Sequence, residues 1–429
     1  MMKWVFLFLL LTPALWLQGA KVNETDAYVA AVKKVTDIMV NDVTSPVAAA
    51  RYYAYTNLAA YETIAGLKPK KFPSLSAELT HPLQLTLPAA KKKQLFSSAV
   101  LALWKAAQAL LPSGSQLKPA IDSLAALLPP ANVQLVDQVV LQITTWAGQD
   151  GFMQLNNLKR YTPKRGPEYW QPTPPAFMAP IEPHWNTIRP FMMNRANQFL
   201  TSPPVKYDLA PDAPFYKLAY EVYSVVNEKD REKIEIAKFW DCNPYEISQI
   251  GHVEFGLKKI SPGGHWVGIA GIACKTKDLP FEKTVLTHAL LAVALHDAFI
   301  ACWDEKYRSD RVRPETVIQQ HIDRSWKPVL QTPPFPEYVS GHSVASTASS
   351  VVLTAVFGRN FAFTDDTEVA FGLPVRSFQS FEQAANEASI SRLYGGIHYR
   401  DAIDQAIWQG GEVGKLVRSK LDRYFDLLR

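Results

Sequence analysis

Apolar residues recur along most of the chain at spacings of three and four, which is the period of an amphipathic α-helix. Runs that alternate between apolar and polar residues, as in a half-buried strand, are few. Helices are predicted over 24–66 (more than one), 91–111 and 133–148, and again over 214–226, 230–240, 282–307, 343–357, 381–394 and 402–428. With typical helix lengths this gives about a dozen helices. The sequence therefore predicts an all-α protein built as one or two helical bundles.

The periodic pattern is interrupted over residues 151–211, where ten prolines fall between Pro163 and Pro204. Proline removes a backbone donor, so this segment cannot be helical throughout. Its tryptophans, Trp170 and Trp185, argue against a disordered linker. We predict an ordered loop between an N-terminal helical region (21–150) and a C-terminal helical bundle (212–429). The loop either covers the functional site or simply wraps between the two helical regions.

The first twenty residues have the composition of a secretory signal peptide: Lys3, an apolar run and the small pair Gly19-Ala20. This predicts a secreted or periplasmic protein, and an uncleaved membrane anchor is the alternative. No later segment offers about 18 consecutive apolar residues, so no membrane span is expected after the signal is removed.

Composition narrows the possible partners. The net charge of +5 is too small to indicate nucleic-acid or membrane-surface binding. The cysteines, Cys242, Cys274 and Cys302, are few and odd in number, which favours buried free thiols over a disulfide framework. Nothing in the sequence indicates an oligomeric state.

Candidate chemistry is concentrated in the last third of the chain, in three blocks with the patterns K-x6-R-P, S-G-H and S-R-x5-H. Together they supply three cations, a hydroxyl, a glycine N–H and two histidines. A bound tetrahedral oxyanion needs such fixed cations and neutral donors, with one axial group that can bond to its central atom. The residues of the blocks are Lys306, Arg313, Ser340, Gly341, His342, Arg392 and His398.

Each block also predicts its own local structure. Lys306 lies near the end of a long helix, with Trp303 on the same face. Ser340 is placed to cap a helix whose free N–H groups can bind an anion. The pair Gly395-Gly396 breaks the next helix, so that His398 can approach the site from another direction.

The order and spacing of the blocks resemble the active-site signature of the vanadium-dependent haloperoxidases and the type 2 phosphatidic acid phosphatase superfamily. The resemblance implies an all-helical fold with the site inside the C-terminal bundle, and it favours the soluble, secreted, chloroperoxidase-like branch. It also implies a vanadium-dependent haloperoxidase, which uses hydrogen peroxide to oxidise halide to hypohalous acid.

The resemblance implies roles for individual residues. His398 would be the axial ligand of vanadate, and His342 would be the acid–base group. Lys306 would polarise the peroxide. The oxygens of the anion would be held by Lys306, Arg313, Ser340, the Gly341 N–H and Arg392.

Two positions depart from the family pattern. Val339 precedes the serine of S-G-H where the family has proline. Ala402 stands where the family has an aspartate that would hold the ring of the axial histidine. Asp401, Asp404 or a backbone carbonyl would have to take that part.

Aromatic residues bear on the branch of the superfamily. Asp297, Ile300 and Trp303 on the Lys306 helix, and Phe335 before S-G-H, resemble the chloroperoxidase-like branch. Trp303 and Phe335 are therefore candidate halide-pocket residues, with ordinary core packing as the alternative.

Two other functions remain open at this point. The same residues would suit a secreted acid phosphatase that hydrolyses phosphomonoesters, with His398 as the nucleophile and His342 protonating the leaving group. They would also suit a non-catalytic oxyanion-binding protein, although simple binding needs no nucleophile.

The remaining histidines carry less information. His252 and His265 flank a turn-rich segment, but their spacing does not match that of a zinc site. A structural role is expected for His265, and Ser261-Pro262-Gly263-Gly264 is predicted to form a sharp turn.

Overall fold

A computed structural model of the chain describes residues 23–90, 93–174, 176–244, 246–250, 253–256 and 258–429. The predicted signal peptide lies outside these residues. Fourteen α-helices and two antiparallel two-stranded ribbons are found among them, which confirms the all-α fold. The helices are α1 (Glu24–Asn41), α2 (Pro46–Leu67), α3 (Leu95–Leu110), α4 (Lys118–Ala126), α5 (Pro130–Ala147), α6 (Pro214–Asn227), α7 (Arg231–Phe239), α8 (Pro262–Thr276), α9 (Phe281–Ser309), α10 (Pro314–His321), α11 (Gly341–Phe357), α12 (Phe381–Tyr394), α13 (Arg400–Lys420) and α14 (Asp422–Asp426). The ribbons are β1 (Ile247–Ile250) with β2 (Val253–Gly256), and β3 (Phe363–Asp365) with β4 (Arg376–Phe378).

Helix α9 is the centre of the molecule. It packs against α2 from the N-terminal half and against α8, α11 and α13 from the C-terminal half. Among the described residues it alone is long and apolar enough to cross a membrane, but its most apolar stretch is completely buried inside the protein. An apolar helix of this kind is a core element, and its last turn delivers Lys306 to the middle of the C-terminal bundle.

Side-chain caps define where the site-forming helices begin. The Ser340 side chain accepts the Ser343 N–H at the start of α11, and the Ser380 side chain accepts the Gln383 N–H at the start of α12. Pro314 occupies the first turn of α10, where its missing N–H costs nothing. The starts of α11 and α12 were predicted from the sequence because each depends on neighbouring residues only, whereas α10 was not predicted.

Helix α8 corrects a sequence prediction. The segment Ser261–Gly264 was expected to be a turn, but Ser261 caps a helix whose first residue is Pro262. A Cβ at Gly264 would lie 2.7 Å from Ile260 Cγ1 and 2.9 Å from Tyr53 Oη. Glycine is needed there because the helix approaches α2 closely. The sequence analysis also missed the short helices α4 and α10 and both ribbons.

The proline-rich segment lies along α9. The Asp297 carboxylate accepts the N–H groups of Phe191, Met192 and Met193, each at 2.7 Å. Nearer the site, the Ile181 carbonyl accepts hydrogen bonds from the Trp303 indole and the Tyr307 hydroxyl. These contacts hold the segment against the helix that carries Lys306. The domain boundaries of the sequence analysis stay a prediction.

Candidate active site

The three sequence blocks meet at one small cavity in the C-terminal bundle. Lys306 comes from the end of α9, Arg313 caps α10, S-G-H opens α11 and Arg392 lies in the last turn of α12. The positive φ of Gly396, +76°, turns the chain after α12 toward His398. The cavity is lined by Pro46, Asp241, Cys242, Asn243, Pro244, Pro262, Phe299, Trp303, Pro333, Phe335, Gly341, His342, Arg392, Ile397 and His398. Lys306, Arg313 and Ser340 lie directly behind this lining.

Lys306 and Arg313 are fully buried and bonded mainly to backbone carbonyls. Lys306 Nζ donates to Pro336 O and Glu337 O at 3.0 and 3.1 Å. Arg313 Nε donates to Phe335 O at 2.9 Å, and its Nη1 donates to Ile397 O at 2.8 Å. Burial lowers the pKa of Lys306 to about 7 and that of Arg313 to about 10. Both side chains therefore hold charge in a place that disfavours it.

Arg392 completes the set of cations. It is buried, its Nη2 donates to Ala237 O at 3.2 Å, and burial lowers its pKa. Within the part of the chain that the structure describes, no carboxylate forms an ion pair with Lys306, Arg313 or Arg392. Buried charges without partners are costly. An anion in the adjoining cavity would offset that cost, which is the electrostatic basis of the site.

His398 is oriented by a carboxylate that the sequence analysis missed. Its Nδ1 lies 2.8 Å from Glu337 Oε1, which also accepts the Tyr399 N–H at 3.0 Å. Burial and the neighbouring Arg313 lower the pKa of His398 well below its usual range, so the ring is neutral. A neutral ring that donates from Nδ1 leaves the lone pair of Nε2 available. In this structure Nε2 forms a hydrogen bond with Arg313 Nη1 at 3.2 Å. The same nitrogen could bond to the central atom of a bound oxyanion.

The expected second partners of His398 were wrong. Asp401 forms a bidentate pair with Arg311 at 2.6 and 2.8 Å instead. Arg311 in turn holds Glu337 Oε2 through its Nε at 2.7 Å. The aspartate therefore acts on His398 only through Arg311 and Glu337. Glu337 stands two residues after Phe335, which was predicted as a candidate site residue. Its closeness to Phe335 in the sequence was the signal that could have pointed to it.

His342 faces the same cavity with a free ring nitrogen. Its Nε2 is buried and has no hydrogen-bond partner among the described residues. Burial, Arg392 and His398 lower the pKa of His342 well below its usual range, so the imidazole is neutral and can accept a proton. His288 Nε2 and His296 Nδ1 also lack a partner in the described residues, but of these three histidines His342 is the one that lines the cavity.

Gly341 lines the cavity, and Ser340 precedes it as the N-cap of α11. Ser340 Oγ accepts a hydrogen bond from the Ser343 hydroxyl at 2.8 Å as well as capping α11. The N–H groups of the first turn of α11 have no helical acceptor, so they can bind an anion. A Cβ on Gly341 would meet Trp303 at 3.5 Å and Lys306 Cε at 3.9 Å, so the glycine backbone lies next to both.

Trp303 and Phe335 form an aromatic wall of the cavity. Their ring centroids are 5.0 Å apart, and both side chains are buried. Lys306 Nζ is 5.0 Å from the Phe335 centroid and 5.8 Å from that of Trp303. The structure thus places both candidate halide-pocket residues beside the cation.

The donor set fits vanadate. The site offers three buried cations without carboxylate partners in the described residues, a His398 nitrogen held in the ligating tautomer, and an unpartnered His342 nitrogen. Such a set inside a helical bundle is typical of an enzyme that binds a tetrahedral oxyanion, and vanadate is an anion of this kind.

Comparison with known proteins identifies the family. The profile described as the VCPO second helical-bundle domain matches residues 286–325 and 319–427. The chain is also similar to a solved structure described as the first bacterial vanadium-dependent iodoperoxidase. They share 46% identity and a TM-score of 0.86, over 94% of this chain and 98% of the other. The chain therefore belongs to the vanadium-dependent haloperoxidases, and it is an enzyme with peroxidase activity.

More distant structures share the fold. The holo and apo forms of a bacterial vanadium-dependent chloroperoxidase match with TM-scores of 0.67 at 15% and 16% identity. They cover 89% and 87% of this chain, and 93% and 92% of their own. No curated protein matches the sequence.

We expect Glu337→Gln to weaken vanadate binding by about 10–100-fold, the usual cost of removing the outer partner of a ligating histidine. The amide keeps one acceptor but loses the charge that stabilises the His398 tautomer and binds Arg311. Equilibrium dialysis with orthovanadate measures the affinity. Asp401→Asn is the matched control, because it removes the other carboxylate on Arg311 without touching His398. Equal losses in the two variants would contradict a direct role for Glu337.

We expect the stability of the anion-free protein to rise with pH because of Lys306. Below about pH 7 the amine is protonated in both the folded and the unfolded chain, and the folded state bears the cost of burying the charge. Between about 7 and 10.5 only the unfolded chain keeps the proton, so raising the pH favours the folded state.

Relative to Lys306→Met, the free energy of unfolding of the wild type should increase by roughly 2–3 kcal/mol between about pH 7 and pH 9. Urea titrations in phosphate-free and vanadate-free buffer measure the difference. Parallel pH profiles for the two proteins would show that Lys306 is already neutral, or already paired, at pH 7.

Proposed function

We propose that this protein is an iodide-oxidising haloperoxidase, with hydrogen peroxide as the oxidant and hypoiodous acid as the product. Peroxide and a halide are the substrates that family membership implies. The choice of iodide is supported by the 46% identity to the bacterial iodoperoxidase over nearly the whole of both chains. The observation that carries the proposal is one cavity lined by His342, His398 and Arg392. Lys306 and Arg313 contact the Phe335 and His398 side chains of its lining.

Each group has a defined part in this proposal. His398 Nε2 would ligate vanadate, and Lys306, Arg313, Arg392, Ser340 and the Gly341 N–H would hold its oxygens. Bound vanadate supplies the Lewis acidity that activates peroxide toward halide. Glu337 keeps the His398 proton on Nδ1.

His342 would take the proton of the incoming peroxide on its free Nε2 and later return a proton to the product. Lys306 is positioned to stabilise negative charge on the peroxide oxygens. Because these groups are fixed before the substrates bind, little reorganisation is needed during the reaction.

The aromatic wall would receive the halide. Iodide is large and weakly hydrated, and it loses less solvation than chloride on entering a site walled by Trp303 and Phe335. The nearby Lys306 ammonium offsets the charge of the halide. Because the same two residues resemble those of the chloroperoxidase-like branch, the choice of iodide rests on the 46% identity to the iodoperoxidase.

The test uses chelator-treated protein divided into two portions. One is loaded with orthovanadate and assayed with peroxide and iodide, bromide or chloride, by triiodide formation and by halogenation of a dione. The other is assayed without vanadate for hydrolysis of p-nitrophenyl phosphate. We expect vanadate-dependent oxidation with iodide as the best halide. Hydrolysis that vanadate inhibits, without halide oxidation, would establish the phosphatase alternative. Faster bromide or chloride oxidation would overturn the iodide assignment.

We also propose that the protein is exported, on the basis of residues 1–20 alone. N-terminal sequencing of the protein from the culture medium or periplasm tests this proposal. Cleavage near Ala20 is expected, and an intact N-terminus in the membrane fraction would indicate an anchor.

A further inference from the structure

A second cluster of ligating side chains lies behind one wall of the cavity. Cys242 follows α7, His265 lies at the start of α8, and Glu368 lies just after β3. All three are buried, with exposed fractions of 1%, 0% and 2%. Their ligating atoms, Sγ, Nδ1 and Oε1, converge within 4.8 Å of one another. The halide-oxidising reaction uses none of them.

The spacing of these atoms matches a tetrahedral metal site. Cys242 Sγ is 3.4 Å from His265 Nδ1 and 3.7 Å from Glu368 Oε1, and His265 Nδ1 is 3.1 Å from Glu368 Oε1. Donors bound to zinc at about 2.3 Å for sulfur and about 2.0–2.2 Å for nitrogen and oxygen are separated by roughly 3.3–3.6 Å at a tetrahedral angle. The three atoms are therefore already placed as three corners of such a site.

The other ring nitrogen of His265 has the partner that metal-bound histidines usually have. Its Nε2 lies 2.7 Å from the buried Asp365 carboxylate. Asp365 is itself held by the backbone N–H and hydroxyl of Thr367 at 3.0 and 2.6 Å. A carboxylate on Nε2 fixes the tautomer that presents the Nδ1 lone pair to a metal.

The buried negative charge of the cluster also favours binding of a cation. Asp365 and Glu368 are both buried, yet within the described chain neither forms an ion pair with lysine or arginine. One imidazole between two carboxylates leaves a buried negative charge, to which a Cys242 thiolate would add. A protonated His265 would compensate only one of the two carboxylates. A divalent ion in place of the Nδ1 proton would compensate the remaining charge.

We propose that Cys242, His265 and Glu368 bind a structural zinc ion. A thiolate, an imidazole and one carboxylate form a borderline ligand set that suits Zn²⁺ and is unlike the all-oxygen sets of Mg²⁺ and Ca²⁺. Because Asp241–Pro244 also line the catalytic cavity, the ion would fasten that wall to α8 and to the turn after β3. The inference goes beyond the halide-oxidising function and does not depend on it.

The experiment measures metal in untagged protein without vanadate, peroxide or halide, so a failed peroxidase assay has no bearing on it. Protein is loaded with Zn²⁺, dialysed against a weak chelator and analysed by elemental mass spectrometry. We expect about one zinc per chain in the wild type and in Cys274→Ser. Cys274 is a matched control because it is a buried free cysteine at the far end of α8. Cys242→Ser should retain almost none.

Cobalt substitution gives a second readout. Co²⁺ in this site should show a thiolate charge-transfer band and the visible bands of a tetrahedral ion, both lost in Cys242→Ser and kept in Cys274→Ser. If Cys242→Ser does not fold, Glu368→Gln keeps the thiol and should lose zinc at a lower chelator concentration than the wild type. A wild type without stoichiometric zinc, or a cobalt form without the thiolate band, would overturn the proposal and leave an ion triad centred on His265.

Discussion

The variant His398→Ala should lose vanadate binding and halide oxidation together, each by more than the ~100-fold that removal of an outer-shell partner typically costs. In the proposed function His398 Nε2 ligates vanadate, while Glu337 holds the other ring nitrogen and Arg313 lies beside Nε2. The alanine variant removes the ligand and leaves the Glu337 carboxylate without one of its donors. His342, the other described histidine that lines this cavity, comes from α11 and is assigned to proton transfer in the proposed function.

Vanadate binding is best measured by ⁵¹V NMR, which does not require turnover. His321→Ala is a matched control, because His321 is exposed at the end of α10. This variant should bind vanadate and oxidise halide like the wild type. Tight vanadate binding by His398→Ala would mean that the cations alone hold the anion. In that case the axial role would have to be reassigned.

The oxyanion site could be predicted from the sequence because its parts are locally encoded. A serine cap opens α11 at Ser340, a glycine pair ends α12 before His398, and a long apolar helix ends just after Lys306. Each feature depends on residues within one or two turns. The three blocks then meet because consecutive helices of one bundle pack side by side.

The partner of His398 could not be found in this way. Glu337 lies 61 positions away in the sequence, and its selection over Asp401 depends on how the segment before α11 packs against the loop after α12. Asp401 is nearer in sequence, but its carboxylate is already engaged by Arg311. Tertiary geometry decides between two acidic residues that look equivalent in the sequence.

The cluster of Cys242, His265 and Glu368 was also beyond prediction from local sequence. Its cysteine and glutamate are 126 positions apart, and no short ligand motif connects them to His265. From the sequence a structural role was expected for His265, because its spacing from His252 did not match that of a zinc site. His252 lies outside the described residues, and the groups that do surround His265 come from α7 and the turn after β3.

The variant His342→Ala should separate binding from turnover. We expect halide oxidation to fall by about 10²–10⁴-fold, the usual contribution of a positioned acid–base group. Vanadate affinity should change far less, because His342 is assigned to proton transfer and its Nε2 has no hydrogen-bond partner in the described part of the chain. Steady-state triiodide formation with saturating vanadate, alongside ⁵¹V NMR, measures both quantities on one preparation.

Comparing the two histidine variants tests whether His398 binds vanadate and His342 transfers protons. His398→Ala should no longer bind vanadate, whereas His342→Ala should still bind it but oxidise halide more slowly. High concentrations of imidazole should restore part of the His342→Ala activity, because the truncation leaves space for a neutral base beside Arg392. A His342→Ala protein that turns over at the wild-type rate would show that proton transfer goes through solvent or through Lys306, whose pKa of about 7 also suits a proton carrier.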